Sequence, residues 1–425
     1  MDNNFCKANN LENLDSIDEH GEAIYMNETD IRKIIKLVHS NKDNIVKFLR
    51  DIIAISSPSG KEKDVVNRIV QEMKQLGYDE IFTDKFGNVI GRIGNGKKRI
   101  LFDSHIDTVG VTDPNIWKFH PFQGMVKNGI IYGRGASDNK GATAPMIYAG
   151  KIIKEICPNP PFTLFVVGSV QEEDCDGLAL GYAVTKTLKN INCIVLGECT
   201  DLNINIGHRG RMEIILRAKG KSAHASKPER GINAVYKMTP VINKIKALNK
   251  SLKTDKFLGK GSIAVTKIDC KTDSLNCVPY ECNAYLDRRL TKGENKNSAL
   301  NELRKITKGV GIQIEVPIYD SPSHTGKVVK QEKYFPTWLL DKSHPLVQSA
   351  KQTYQLAFKK NAKISKWIFS TNGVSTMGRY NIPTIGFGPS SEKYAHTIND
   401  QCKIDDLITS AIFYSLFPFV FAGET

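Results

Sequence analysis

The run FTLFVVGSVQEED, residues 162–174, decides the fold. Residues 162–170 are apolar or small and carry no charge, which predicts a strand buried on both faces. Three acids, Glu172, Glu173 and Asp174, follow at once. Neighbouring carboxylates repel, so either they form a solvated turn or something cationic offsets them. Working outward, residues 139–156 predict a helix before this strand and 177–188 a helix after it. A short apolar strand follows at 193–196. Upstream, strands are predicted at 80–83, 88–93 and 99–102, the last two separated by the Gly-Asn-Gly turn at 94–96. Apolar residues recur at helical spacing over 29–53, and a second helix is predicted over 61–76, beyond the break at SSPSG (56–60). Strands alternating with helices imply an α/β fold, a mixed sheet covered on both faces by helices.

The character changes at 207–210. The next elements read as strand 212–218, helix 231–248, strands 262–268 and 282–290, helix 297–308 and strand 312–316. This β-α-β-β-α-β order is that of a ferredoxin-like α+β unit. Residues 319–342 show little periodicity and predict a long surface connection. Helix and strand patterns then resume at 344–358, 364–369, 384–387 and 404–421. The expected organisation is a loose acidic leader (1–27), a catalytic α/β domain in two parts (28–208 and 344–425), an inserted smaller domain (209–318) and the connection 319–343.

Chemistry-bearing residues gather where strands end. Asp103-Ser-His105-Ile-Asp107 directly follows the apolar Ile100-Leu-Phe102. Functional groups of open α/β sheets collect at the carboxyl ends of strands. Residues i and i+2 of extended backbone share a face. His105 and Asp107 could therefore serve as a metal ligand and the carboxylate that orients it; the same pattern also fits a surface pair. Gly133-Arg-Gly-Ala-Ser-Asp138-Asn-Lys-Gly141 makes a tight loop before a helix, which Asp138 or Asn139 could equally cap. Glu198 follows another short strand, and His396 lies in a loop before the last helix. Two histidines and several carboxylates, without cysteine, suit a hydrolytic divalent metal such as zinc; cobalt or manganese fit the same donors.

Taken together, these boxes resemble the co-catalytic zinc hydrolases of peptidase family M20. That family includes aminoacylases, tripeptidases, glutamate carboxypeptidases, acetylornithine deacetylases and succinyl-diaminopimelate desuccinylases. SHIDTV, GRGASDNKG, QEED, GE and AHTIND occur in the family's order from about Ile52 onward, and GKSAHAS and LDRR occur in the inserted unit. The resemblance implies that His105, Asp138 and Glu198 hold one Zn²⁺. Asp138, Glu173 and His396 hold the other, with Asp138 bridging. Asp107 would orient His105, and Glu172 would be the general base that activates the attacking water. His224 would reach into the other subunit's site and stabilise the oxyanion. Asn276 and Arg289 would contact a substrate carboxylate. The inserted domain would form a homodimer. Many relatives read Gly-Gly-Thr-Asp late in the chain where this one has Ser370-Thr-Asn-Gly373; the glycine-rich loop, with Gly373 as a substrate contact, is kept and the acid is absent. The segment 319–342, with Tyr334-Phe-Pro-Thr-Trp338, resembles a bacterial branch labelled selenium-metabolism-linked hydrolases. The implied activity is cleavage of an amide bond in a small carboxylate-bearing substrate, an N-acyl amino acid or a dipeptide. The carbamoyl- and ureido-cleaving relatives are the alternative. They generally carry His in place of Glu198, so Glu198 and Ser137-Asp138-Asn139 point away from them.

Composition narrows the other classes. The 425 residues carry 59 Lys+Arg against 45 Asp+Glu, a formal charge of +14. Residues 209–330 alone sum to 25 − 11 = +14. The lysines are dispersed at helix and strand spacing without interleaved aromatics, which reads as a solvated surface and not as a nucleic-acid groove. A non-catalytic binding protein on the same scaffold is disfavoured because Glu172 and all five ligand positions are present. The opening residues are polar and acidic, unlike a secretory signal. The apolar stretch 412–422 is shorter than the about 20 residues a membrane span needs. Nine cysteines without a CxxC pair fit a reducing, cytoplasmic interior.

Overall fold

The computed structural model describes residues 26–423. The expected leader lies outside the described residues except for Met26 and Asn27. These two belong to the fold: Met26 is buried in the core, and the Asn27 side chain caps the first helix. The chain opens with α1 (Glu28–Ser40), α2 (Lys42–Ile53) and α3 (Lys63–Gln75). The apolar spacing over 29–53 is divided at Asn41, where the backbone leaves the helix (φ −96°, ψ 3°) and the side-chain amide donates to the Leu37 carbonyl at 2.8 Å. Then come β1 (Glu80–Thr83), β2 (Val89–Ile93), β3 (Lys98–His105), the short β4 (Met125–Lys127) and β5 (Ile130–Tyr132), α4 (Lys140–Ile156), β6 (Phe162–Ser169), α5 (Leu178–Tyr182), β7 (Cys193–Leu196) and β8 (Ile204–His208). All eight residues of β6 are buried, as a central strand covered on both faces requires.

The second unit holds β9 (Gly210–Lys219), α6 (Ala234–Ser251), the small ribbon β10 (Thr254–Asp255) with β11 (Gly259–Lys260), β12 (Ser262–Lys271), β13 (Glu281–Leu290), α7 (Lys296–Thr307) and β14 (Ile312–Glu315). Its sheet runs β12-β13-β9-β14, all antiparallel. The helices close a separate apolar core around Leu216, Met238, Val241 and Leu303. This is the expected ferredoxin-like arrangement.

The return path is more structured than a surface connection. β15 (Ile318–Tyr319) pairs with β16 (Gln331–Glu332). β17 (Tyr334–Phe335) adds to β9, and β18 (Trp338–Leu339) adds to β8, so the outgoing and returning chains run side by side. Phe335 and Trp338 are buried. Glycine permits the approach: a Cβ on Gly207 would meet the Trp338 carbonyl oxygen at 2.5 Å, and one on Gly210 the Thr337 nitrogen at 2.6 Å. Two-residue strands have no periodicity to read, which is why the sequence hides them.

The chain ends with α8 (Pro345–Phe358), β19 (Ile364–Trp367), α9 (Gly373–Thr376), β20 (Thr384–Gly386), β21 (Gln401–Lys403) and α10 (Ile404–Gly423). The large sheet has the order β1-β2-β6-β3-β7-β20-β8-β18, with β19 also on β8. Its centre, β6-β3-β7-β20, is parallel. β21, β5 and β4 form a third small sheet. The α10 helix has 20 residues and mean hydropathy 1.5, so by length and composition it could cross a membrane, unlike the shorter stretch read from the sequence. Here it is a core helix. Its apolar window is 67% buried, and Phe413 stacks on Phe387 with ring centroids 3.9 Å apart.

Candidate metal centre

The parallel register fixes the site. On β3, His105 stands opposite Ser169 of β6, and Asp103 opposite Leu196 of β7. His105, the acids after β6 and Glu198 after β7 therefore emerge at one edge of the sheet. The loop before α4 brings Asp138 between them, and the loop before β21 brings His396. The two carboxylate oxygens of Asp138 face different histidines: Oδ1 is 2.9 Å from His105 Nε2, and Oδ2 is 3.2 Å from His396 Nε2. Glu198 lies on the His105 side at 3.6 Å, and Glu173 on the His396 side at 2.8 Å. His105, Asp138 and Glu173 each offer a ligand atom within 4.8 Å of the others. Glu172 Oε2 is 4.0 Å from His105 Nε2. Two triads thus share Asp138, with Glu172 beside them.

The donor set fits divalent metal. His105 Nδ1 bonds the Asp107 carbonyl at 3.0 Å, so Nε2 is the nitrogen turned to the carboxylates. Glu172 Oε1 and Glu198 Oε2 are buried without a hydrogen-bond partner. Buried charged oxygens need pairing or a metal ion. Left-handed backbone at Gln171 (φ 53°) and at His396 (φ 59°) places strain beside and within the cluster, as functional sites often do.

Asp107 does more than face His105. Its carboxylate is 3.5 Å from His105 Nδ1 but accepts from the N–H groups of Glu172 and Glu173, at 3.1 Å each, and from Ser59 Oγ at 2.6 Å. It fixes the backbone of the acid pair, while its carbonyl orients the imidazole. Asp400 does the same for the loop that delivers Asp138. It accepts from the N–H groups of Gly135 and Ser137 and from Ser137 Oγ, all at 2.7 Å, and pairs with Arg134 at 3.0 Å. Its place in the AHTIND box was the only trace of this in the sequence.

A cleft of about 310 Å³ opens over the cluster. Arg211 and Arg289 line it from the second unit, facing Asp176, Ile368, Phe369, Ser370 and Glu392. Among these only Arg289 was expected. Arg211 opens a strand whose alternation hides it, and Asp176 and Glu392 reach the cleft only through the folded loops. His224 and Asn276 lie elsewhere. Both are exposed, in loop segments outside the strands, joined by the isolated His224–Cys277 bridge and by an Ala225 N–H to Asn276 carbonyl bond of 2.7 Å, and neither lines this cleft.

Electrostatics follow from burial and crowding. Burial pushes Glu172 and Glu198 well above the usual carboxylate range, and the neighbouring acids add to this. Burial and Asp138 lift Glu173 to about 7. The hydrogen bonds to Asp138 and Glu173 lift His396 to about 10. Asp138 goes the other way: burial opposes, but the two imidazoles hold it ionised. Without metal, the cluster therefore retains protons at neutral pH that a metal must displace. Apparent zinc affinity is expected to rise with pH from about 6, through the Glu173 value of about 7 and on toward the His396 value of about 10, with protons released on binding. Titration calorimetry in buffers of different ionisation enthalpy measures this; an affinity that falls with pH would show that the cluster does not take the metal.

Residues 101–418 match Peptidase family M20/M25/M40. The chain belongs to this family. With it comes the family's chemistry, hydrolysis of amide bonds. The chain is 42% identical over 387 residues to the Uncharacterized protein YgeY of Escherichia coli K12, covering 91% of this chain and 96% of that one. It is 23% identical over 400 residues to a Probable succinyl-diaminopimelate desuccinylase of Staphylococcus epidermidis, covering 87% and 95%. The fold is similar to that of Bacillus subtilis YXEP, described as a dinuclear metal binding peptidase from M20 family. The TM-score is 0.66 at 14% identity, covering 91% of this chain and 99% of that one.

The departure at 370–373 from the family pattern has a physical reason. Asn372 is buried. Its amide donates to Asp103 Oδ2 at 2.8 Å and Ser169 Oγ at 3.0 Å, and its carbonyl accepts from Gly177 N at 2.8 Å. Gly373 is packed under the Trp338 indole, where a Cβ would come within 2.4 Å of the ring. Gly373 does not line the cleft; Ser370 does. Trp338 in turn donates from Nε1 to His208 Nε2 at 2.7 Å.

Proposed function

We propose that this M20-family chain is a dinuclear zinc amidohydrolase that cleaves the amide bond of a small carboxylate-bearing substrate, a dipeptide or an N-acyl amino acid. The observation that carries this reading is Asp138, with one carboxylate oxygen toward each histidine at 2.9 and 3.2 Å. His105, Asp138 and Glu198 would hold one ion; Asp138, Glu173 and His396 would hold the other. Charge supports it: two divalent cations offset the four carboxylates Asp138, Glu172, Glu173 and Glu198. When bound, such a pair polarises the scissile carbonyl and makes water nucleophilic near neutral pH.

Glu172 is left out of the ligand set for a reason. It is buried, with Oε1 unpartnered, and burial raises its basicity. It takes the proton of the attacking water and passes it to the leaving nitrogen. Asp107 holds Glu172 and Glu173 by their N–H groups. Arg289 is bound to Asp287 through Nε and Nη2 at 2.7 and 3.1 Å, which leaves Nη1 for a substrate carboxylate. His224 and Asn276, away from their own cleft, serve the partner's site in a homodimer built on the inserted unit. Cys175, Cys193, Cys199, Cys270, Cys277, Cys282 and Cys402 are free thiols, which suits a cytoplasmic enzyme, whereas Cys157 is disulfide-bonded. The test is amine release from a panel of dipeptides and N-acyl amino acids. Activity should disappear with a chelator and return with zinc; no release from any member by zinc-loaded protein would end this reading.

A further inference from the structure

One carboxylate in the cleft has neither a cation nor a place in the ligand set. Glu392 lines the cleft together with Arg289 and His396. It is half-buried, and its one side-chain hydrogen bond is from the Ile368 N–H at a long 3.3 Å. Among the described residues no Lys, Arg or His forms an ion pair with it. Its chain neighbour Lys393 is turned onto the Tyr394 ring at 4.8 Å. The charges that act on it, Asp201 and Asp138, are negative, and burial together with them lifts it to about 7. The other charges of the cleft are matched. Arg211 pairs with Asp176 at 3.2 Å and also with Glu213; Arg289 pairs with Asp287. The metals would match the ligand acids and Glu172. A half-buried carboxylate that faces a ligand cavity without a cation is completed by a cation on the ligand.

We infer that Glu392 receives an ammonium group of the substrate, so that the amide cleaved belongs to a molecule carrying both a free ammonium and a free carboxylate. This rests on the amidohydrolase reading above. The chemical class is a dipeptide with a free amino terminus or a mono-acylated diamino acid. Simple N-acyl amino acids, whose only charge is the carboxylate, leave Glu392 unpaired.

The test uses zinc-loaded full-length protein and two isosteric pairs: glycyl-alanine with N-propionyl-alanine, and Nα-acetyl-ornithine with N-acetyl-norleucine. In at least one pair the ammonium-bearing member should be preferred in kcat/KM by roughly 10–100-fold, the worth of a charge-assisted hydrogen bond. Glu392→Gln should collapse that preference, through a raised KM of the ammonium-bearing member and with zinc content retained. Two results overturn the inference while amide hydrolysis stands: equal or better turnover of the ammonium-free members, or a Glu392→Gln loss that is the same for both members of a pair. Loss of zinc in Glu392→Gln would also overturn it, since Glu392 would then be a ligand. Release of no amine from any of the four would overturn the amidohydrolase reading as well.

Discussion

Replacing Glu172 by glutamine should lower turnover by roughly 10²–10⁴-fold, the range of a lost general base. The change keeps the side-chain volume and removes only the capacity to take a proton. Because Glu172 lies 4.0 Å from His105 Nε2 and outside both triads, zinc content should not change. Glu173, one residue on, should behave in the opposite manner. It is 2.8 Å from His396, so Glu173→Gln should weaken one ion. The adjacent acids have different fates because they sit in a turn, where the Cys175 N–H bonds the carbonyls of Gln171 and Glu172, and because Asp107 clamps both of their N–H groups. If Glu172→Gln sheds zinc while Glu173→Gln keeps it, the roles are reversed.

His224→Ala should reduce turnover by about 10²–10³-fold, the usual worth of one transition-state donor. Both ions and the thermal stability should be kept, since His224 is exposed and its imidazole, among the described residues, bonds Ser226, through Oγ at 2.8 Å and the N–H at 3.1 Å. The proposed partner role rests on the family resemblance of the GKSAHAS segment, and His224 does not line its own cleft. Mixing Glu172→Gln protein with His224→Ala protein therefore should restore activity. In a mixed dimer, one site combines an intact Glu172 with an intact His224 from the neighbour. No recovery in verified mixed dimers would remove the shared site and leave the two-metal chemistry untouched.

The pattern of what could be read from the sequence is itself physical. The β6 strand was legible because a strand covered on both faces must be apolar throughout, and all eight of its residues are buried. His105, Glu172, Glu173 and Glu198 were legible as polar groups at or just past apolar strand ends, whereas Asp138 and His396 sit in loops and the ligand roles came only from the family resemblance. The break at Asn41 was not, because a local hydrogen bond to Leu37 ends the helix without Gly or Pro. Arg211 and Glu392 were not, because the cleft joins residues from both units and no local pattern encodes that. The expected contact by Gly373 gave way to a packing role, since the loop's glycine answers to Trp338, a residue 35 positions earlier in the chain. Asp107 also reaches His105 through its backbone carbonyl at 3.0 Å, a group whose direction no sequence shows.

The account depends on two ions sharing Asp138. Elemental analysis of zinc-reconstituted, folded protein measures this directly. Two zinc ions per chain are predicted, falling to about one in His105→Ala and about one in His396→Ala, as expected when each variant removes a ligand of a different ion. One ion or fewer per chain in fully active wild-type protein would contradict the shared-carboxylate site.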